Sequence, residues 1–178
     1  WPAVQTRRAR VSKTLEEGVA FLWNKNKVDF LKGEGSLAGG GKVKVGSDEH
    51  EAKAIVLATG SVALSIPGID FSERVIDTWE AWSLEKMPKT LVVAGAGASG
   101  AEIASGYARM GVEVTLVEML DQLLPLEDKD MARVVERQFK KDGMEVLLGT
   151  KVEAVEEQKT GVKVKAGEVE VKADYLVI

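Results

Sequence analysis

A mixed α/β fold built on a doubly wound parallel sheet is what this sequence predicts, and three observations predict it. An apolar run at 91–93 leads directly into Gly95, Gly97 and Gly100, which have the spacing G-x-G-x-x-G where a helix begins. A second strand-like stretch, Glu113-Val-Thr-Leu-Val117, ends in the carboxylate of Glu118. Farther on, the stretches 151–155, 161–165 and 168–172 each alternate apolar and polar residues, the period of strands. The first two observations give a doubly wound strand–helix–strand unit, and the third inserts a three-stranded β-meander into it.

The glycines have separate tasks. Gly95 permits a tight turn, Gly97 leaves the backbone open to a pyrophosphate, and Gly100 lets the helix lie close on the strand. The helix start adds free N–H groups and a positive dipole end. Glu118 follows the glycines at about the 20-residue distance where an acid accepts from a ribose 2′-hydroxyl. A lone glycine pattern also serves plain turns. The strand before it, the helix after it and the acid beyond it favour a Rossmann-like dinucleotide site. Glu118 would repel a 2′-phosphate, and Met119, Leu120 and Asp121 include no Arg to neutralise one, so NAD is expected rather than NADP.

The bulk composition narrows the field. The 178 residues suffice for one ordinary domain or two small ones. The expected division is 1–86, part of one α/β domain with a crossover, and 87–178, the dinucleotide-binding domain. Hydrophobic content of 45% and charged content of 29% are those of a globular chain. The net charge of −4 is spread without a basic block, which gives no reason to expect nucleic acid or an anionic membrane as partner. No apolar run approaches the ~18 residues of a membrane span, and residues 1–8 lack a signal-peptide core. The chain has no Cys and a single His, His50, so no disulfide, thiol nucleophile or multi-histidine metal site is expected. These features suit a cytoplasmic protein.

In the first half, Ser12 or Thr14 is a candidate helix cap, and Leu15, Val19, Leu22 and Trp23 form one apolar stripe. A strand is expected at 28–33, a glycine turn at 39–41, an alternating strand at 42–45 and a turn at 47–48. His50 reads as an exposed hairpin residue. The run at 55–57 reads as a buried strand that ends in Ala58-Thr59-Gly60-Ser61. Trp79 and Trp82 suggest a helical stripe at a domain junction. In the second half, the fingerprint helix stops at Gly111. Asp128 or Asp130 caps the next helix, which stops at Gly143, and 144–148 is the third strand. After the meander, 175–178 opens another buried strand. Glu156 and Glu157 read as a solvated hairpin face rather than an acid/base pair.

The two halves look like one plan used twice, and here the residues resemble a known family. The layout is similar to that of the flavin-dependent pyridine-nucleotide disulfide oxidoreductases, and within them to the dihydrolipoyl dehydrogenase branch. The pieces that carry the likeness are Asn26-Lys-Val28 with Gly33-Glu-Gly35, the run AIVLATGS at 54–61, and Ile66-Pro-Gly68. With them go GAGASGAE at 95–102, Val117-Glu118 and DQLLP at 121–125. The resemblance implies that Gly95, Ala96, Gly97, Ala98, Ser99 and Gly100 hold the NAD pyrophosphate and that Glu118 holds the adenosine ribose. It implies that Val152 lines the adenine pocket, that Glu102 assists hydride transfer, and that Gly35, Thr59, Gly60 and Ser61 touch FAD. It also implies a homodimeric whole enzyme that serves the dihydrolipoyl domain of a 2-oxo-acid dehydrogenase complex. The family's amino-terminal FAD fingerprint, Cys-x4-Cys pair and carboxyl-terminal interface domain have no counterpart here. The likeness is therefore to an internal fragment: part of an FAD-binding domain and most of an NAD-binding domain. Two alternatives stay open, another disulfide reductase or NADH oxidase of the same family, and a non-catalytic NAD-binding module. A fragment of this kind is expected to self-associate or to leave its first half loose.

Overall fold

Four helices and eleven strands form along the chain in a computed structural model that describes all 178 residues. They fall into two units, Pro2–Val62 on the one hand and Ala63–Ile178 with Trp1 on the other.

The smaller unit begins with α1 (Pro2–Lys25). Its first residue is a proline, which suits a position whose N–H needs no helical partner. The helix runs straight through the expected caps at Ser12 and Thr14, and the Thr14 hydroxyl donates back to Arg10 O at 3.0 Å. None of its residues is buried, so the stripe of Leu15, Val19 and Leu22 packs into no core. Trp23 instead stacks on Phe30 at 4.6 Å between ring centres. Strands β1 (Gly35–Gly39), β2 (Lys42–Val45) and β3 (Asp48–Glu51) form an antiparallel meander, with the glycine turn where the sequence places it and His50 exposed on β3.

Two expected strands of this unit, at 28–33 and 55–57, do not form. A buried parallel strand needs a neighbour on each side and cover on both faces. No strand of the chain pairs with either stretch. Val56 is accordingly 85% exposed and Leu57 69%. No residue in Pro2–Val62 is buried.

The larger unit opens with β4 (Val75–Ile76) and α2 (Thr78–Ser83). A capping box starts α2: Asp77 accepts from Glu80 N–H, and Glu80 accepts from Asp77 N–H. Then come β5 (Thr90–Ala94), α3 (Ala98–Arg109), β6 (Glu113–Val117), α4 (Lys129–Lys141) and β7 (Glu145–Leu147). Asp128 caps α4, accepting from Asp130 N–H and Met131 N–H. Strands β8 (Val152–Gln158), β9 (Gly161–Ala166) and β10 (Val169–Ala173) form the second meander, and β11 (Tyr175–Val177) returns to the main sheet.

That sheet is parallel throughout, in the order β4-β11-β5-β6-β7. The strand period of two sends Leu91, Val93, Leu116 and Val177 to the helices and Val92, Val117 and Leu176 to the meander. In sequence the two compact units meet at Val62/Ala63. β4 pairs with β11, and Trp82 stacks on Tyr107 of α3 at 5.7 Å, so both earlier elements belong to the larger unit. Trp79 stays 75% exposed, so the two tryptophans are not one packed stripe. No helix is long and apolar enough to cross a membrane.

Candidate functional site

The glycine fingerprint is the turn from β5 into α3. Gly95 has φ +99°, a conformation that a β-carbon disfavours. Its N–H donates to Val117 O at 2.8 Å, which fixes the turn against β6. A β-carbon at Gly100 would stand 1.9 Å from Gly95 O, so only glycine allows α3 to approach the turn this closely. Nothing lies within 4 Å of the corresponding point at Gly97. The amides of Gly97, Ala98, Ser99 and Gly100 precede the first helical hydrogen bond, Ala101 N–H to Gly97 O at 2.9 Å. Gly97 has no side chain to cap them. The turn therefore presents unpartnered donors beside open space, which suits an anionic group.

Glu118 stands where β6 ends and is 7% exposed. One carboxylate oxygen accepts from Ala96 N–H at 2.7 Å and the other from Leu120 N–H at 2.9 Å. The amide of Ala96, like that of Gly95, is thus already taken, and Glu118 fastens the turn. Each carboxylate oxygen keeps a lone pair for a further donor.

A cavity of about 450 Å³ opens over this carboxylate. Gly95, Glu118 and Val152, which the sequence singles out separately, meet on its wall. Val152 is itself 4% exposed. The cavity also takes in Ser65, Ile66 and Pro67 from one side and Met119, Thr150 and Lys151 from the other. None of these six is among the candidates read from the sequence. The signals nearest to them were the Ile66-Pro67-Gly68 turn and the two residues before Val152. Thr150 reaches the site through a main-chain bond, its N–H donating to Glu118 O at 2.9 Å. An acceptor carboxylate and apolar walls, with the free amides of Gly97 to Gly100 following Gly95 in the chain, suit a nucleoside with phosphates attached.

The other candidates lie apart from this cavity. Ala98 and Glu102 line a separate cleft of about 490 Å³ on α3, with Arg109 and Phe139. Gly35, Thr59, Gly60 and Ser61 belong to the smaller unit and are all exposed. None of them lines that unit's cleft of about 550 Å³ beside Trp23 and Phe30. Gly95, Glu118 and Val152 thus share one cavity, and these four residues line none of these clefts.

Comparison with known proteins agrees with the geometry. The family model for pyridine nucleotide-disulphide oxidoreductases matches residues 2–178. The dihydrolipoyl dehydrogenase of Chlamydia pneumoniae is 35% identical over 181 residues, covering 100% of this chain and 39% of that protein. Among solved structures, LpdA from Mycobacterium tuberculosis superposes with a TM-score of 0.88 at 25% identity, over 97% of this chain and 40% of that one. The HOCl-induced flavoprotein disulfide reductase RclA from Escherichia coli gives a TM-score of 0.77 at 28% identity, over 95% and 41%. The chain spans 39–40% of the length of the first curated relatives it matches.

Proposed function

This chain belongs to the pyridine nucleotide-disulphide oxidoreductase family, and from that premise we propose that it supplies the NAD site of an FAD- and NAD-dependent flavoprotein. The reaction we assign to the whole enzyme is oxidation of protein-bound dihydrolipoamide to lipoamide with reduction of NAD. The partner is the dihydrolipoyl domain of a 2-oxo-acid dehydrogenase complex, and the whole enzyme is a homodimer. The observation that carries the reading is the meeting of Gly95, Glu118 and Val152 on one cavity.

In this reading the amides of Gly97 to Gly100 bind the pyrophosphate, with the α3 dipole behind them. Glu118 accepts from the adenosine ribose while holding Ala96 in place. Val152 gives the adenine an apolar wall. Glu102, exposed on α3 one turn past its start, is assigned to the reacting end of the dinucleotide. NAD, when bound, supplies the group that accepts hydride. Gly35, Thr59, Gly60 and Ser61 are the positions assigned to FAD. The chain contains no cysteine, so disulfide exchange is not work for its own residues. The likeness to RclA favours a second reading, that the enzyme is another disulfide reductase of the family.

Calorimetric titration of the chain with NAD and NADP, beside Glu118→Ala, tests the site. NAD binding that weakens about tenfold in the variant is the expected result, the loss of one charge-assisted hydrogen bond. Absence of binding for both dinucleotides would remove the reading.

A further inference from the structure

The cavity over Glu118 has a cation on its wall that the family assignment leaves without a task. Lys151 is exposed and lines the same cavity as Glu118. The lysines and arginine of the larger unit that form ion pairs are Arg133, Lys140, Lys163 and Lys165, and Lys151 is not among them. Its position is fixed from two sides. Thr150 N–H donates to Glu118 O at 2.9 Å, and Lys151 O accepts from Gly167 N–H at 3.2 Å. The next residue, Val152, is buried in the meander core. Lys151 therefore stands one residue from a main-chain bond to Glu118, with its ammonium unspent.

We propose that Lys151 is a specificity-determining residue of the dinucleotide site, a cation able to receive a 2′-phosphate beside the carboxylate that repels it. The inference rests on the dinucleotide reading of the cavity. Choice between NAD and NADP is then a balance of two opposed charges on neighbouring chain segments. Glu118 accepts from a 2′-hydroxyl and raises the energy of a 2′-phosphate. Lys151 lowers that energy, because an ammonium and a phosphate attract through a charge-assisted hydrogen bond. The sequence after Glu118, which lacks Arg, hides this cation because it comes from beyond β7. Neutralising Glu118 alone should open the site to the phosphorylated nucleotide, since its counterion is already present.

The test uses the full 178-residue chain with 5′-AMP and 2′,5′-ADP, which differ only in the 2′-phosphate. The readout is the ratio of their dissociation constants by calorimetry. In Lys151→Met the ratio of 2′,5′-ADP to 5′-AMP should rise about tenfold, and Lys151→Arg should restore it. Salt should weaken 2′,5′-ADP binding less steeply in Lys151→Met than in the parent chain. In Glu118→Gln the ratio should fall, and adding Lys151→Met should raise it again. This background also serves if the parent takes 2′,5′-ADP too weakly to titrate. A ratio that Lys151→Met leaves unmoved in both backgrounds overturns the inference, while 5′-AMP binding that depends on Glu118 keeps the dinucleotide reading. If neither nucleotide binds, both fall.

Discussion

Two three-stranded antiparallel meanders lie in this chain, and only one of them has a core. The middle strand of the first, β2, reads Lys-Val-Lys-Val, and neither Val43 nor Val45 is buried. The middle strand of the second, β9, has the same alternation, and Val162 and Val164 are 1% and 0% exposed. The ladders are comparable: β2 pairs with β1 and β3, as β9 pairs with β8 and β10. The difference is what stands opposite. β9 faces Val92, Val117 and Leu176 of the parallel sheet, whereas no core cluster includes a residue of Pro2–Val62. Alternation and turns thus suffice to draw a meander, and burial decides whether its side chains hold anything in place. Hydrogen bonds exchanged with water contribute little net stability, and apolar area removed from water contributes most of it.

A charge placed at equivalent points should separate the meanders most sharply. Val164→Asp puts an unpaired carboxylate into the core and should cost about 4 kcal/mol or more. Amide protection across β5, β6 and β9 should collapse. Val43→Asp leaves its carboxylate in reach of water and should cost about 1 kcal/mol or less. Residue-resolved hydrogen exchange reads both. Equal losses in the two variants would break the comparison, because they would mean that the first meander has a core that the structure does not show.

Two helical glycines give the next contrast. Gly100→Ala drives a β-carbon into Gly95 O and should destabilise the larger unit by about 2 kcal/mol, with loss of nucleotide binding. Gly18 lies inside α1 with nothing within 4 Å of its added carbon. Gly18→Ala should therefore stabilise that helix by up to about 1 kcal/mol, seen as a rise in helical circular dichroism. The same substitution has opposite signs because one glycine is needed for a close approach and the other only loosens the chain. A loss of helicity in Gly18→Ala would show that α1 packs more closely than its exposed surface implies.

The same contrast explains what the sequence could tell. The unit β5–α3–β6 was legible because each part carries a local signal: an apolar run, a glycine spacing and an acid at the strand end. Asp128 announced the next helix as a side chain able to cap it. The run 55–57 carried as strong a signal and forms no strand, since composition records a wish for neighbours and not whether they exist. β4 is only two residues long, too short for any periodicity, and its pairing with β11 is a long-range fact. At the site, Gly95, Glu118 and Val152 were legible from spacing and resemblance. Thr150, Lys151 and Ser65 to Pro67 were not, because main-chain bonds and strand order bring them there. The second task of Glu118, fastening Ala96, is equally invisible along the chain.

The smallest expected effect concerns Tyr107, a polar group that only the cored unit hides. It is 0% exposed, its ring lies against those of Trp1 and Trp82, and its hydroxyl donates to Ala81 O. Burial, and secondarily the charge of Tyr175, push its ionisation up from 10.0 to about 12. A folded-state value above the unfolded one means that the stabilisation is complete below pH 10 and is lost as pH rises towards 12. Lys163 and Lys165, raised by their Glu170 and Glu153 partners, lose stabilisation in the same direction. Lys165 is exposed and Lys163 half-buried with its ion pairs in reach of water, so salt screens their part and leaves that of Tyr107. Urea midpoints of the larger unit measured in high salt should therefore fall above pH 10. Tyr107→Phe should cost about 1 kcal/mol at neutral pH, because Ala81 O loses its donor, and should flatten the fall. An equally steep fall in the variant would mean that Tyr107 is wetter than the packing indicates, and the line between the two units would then be less sharp than their burial makes it.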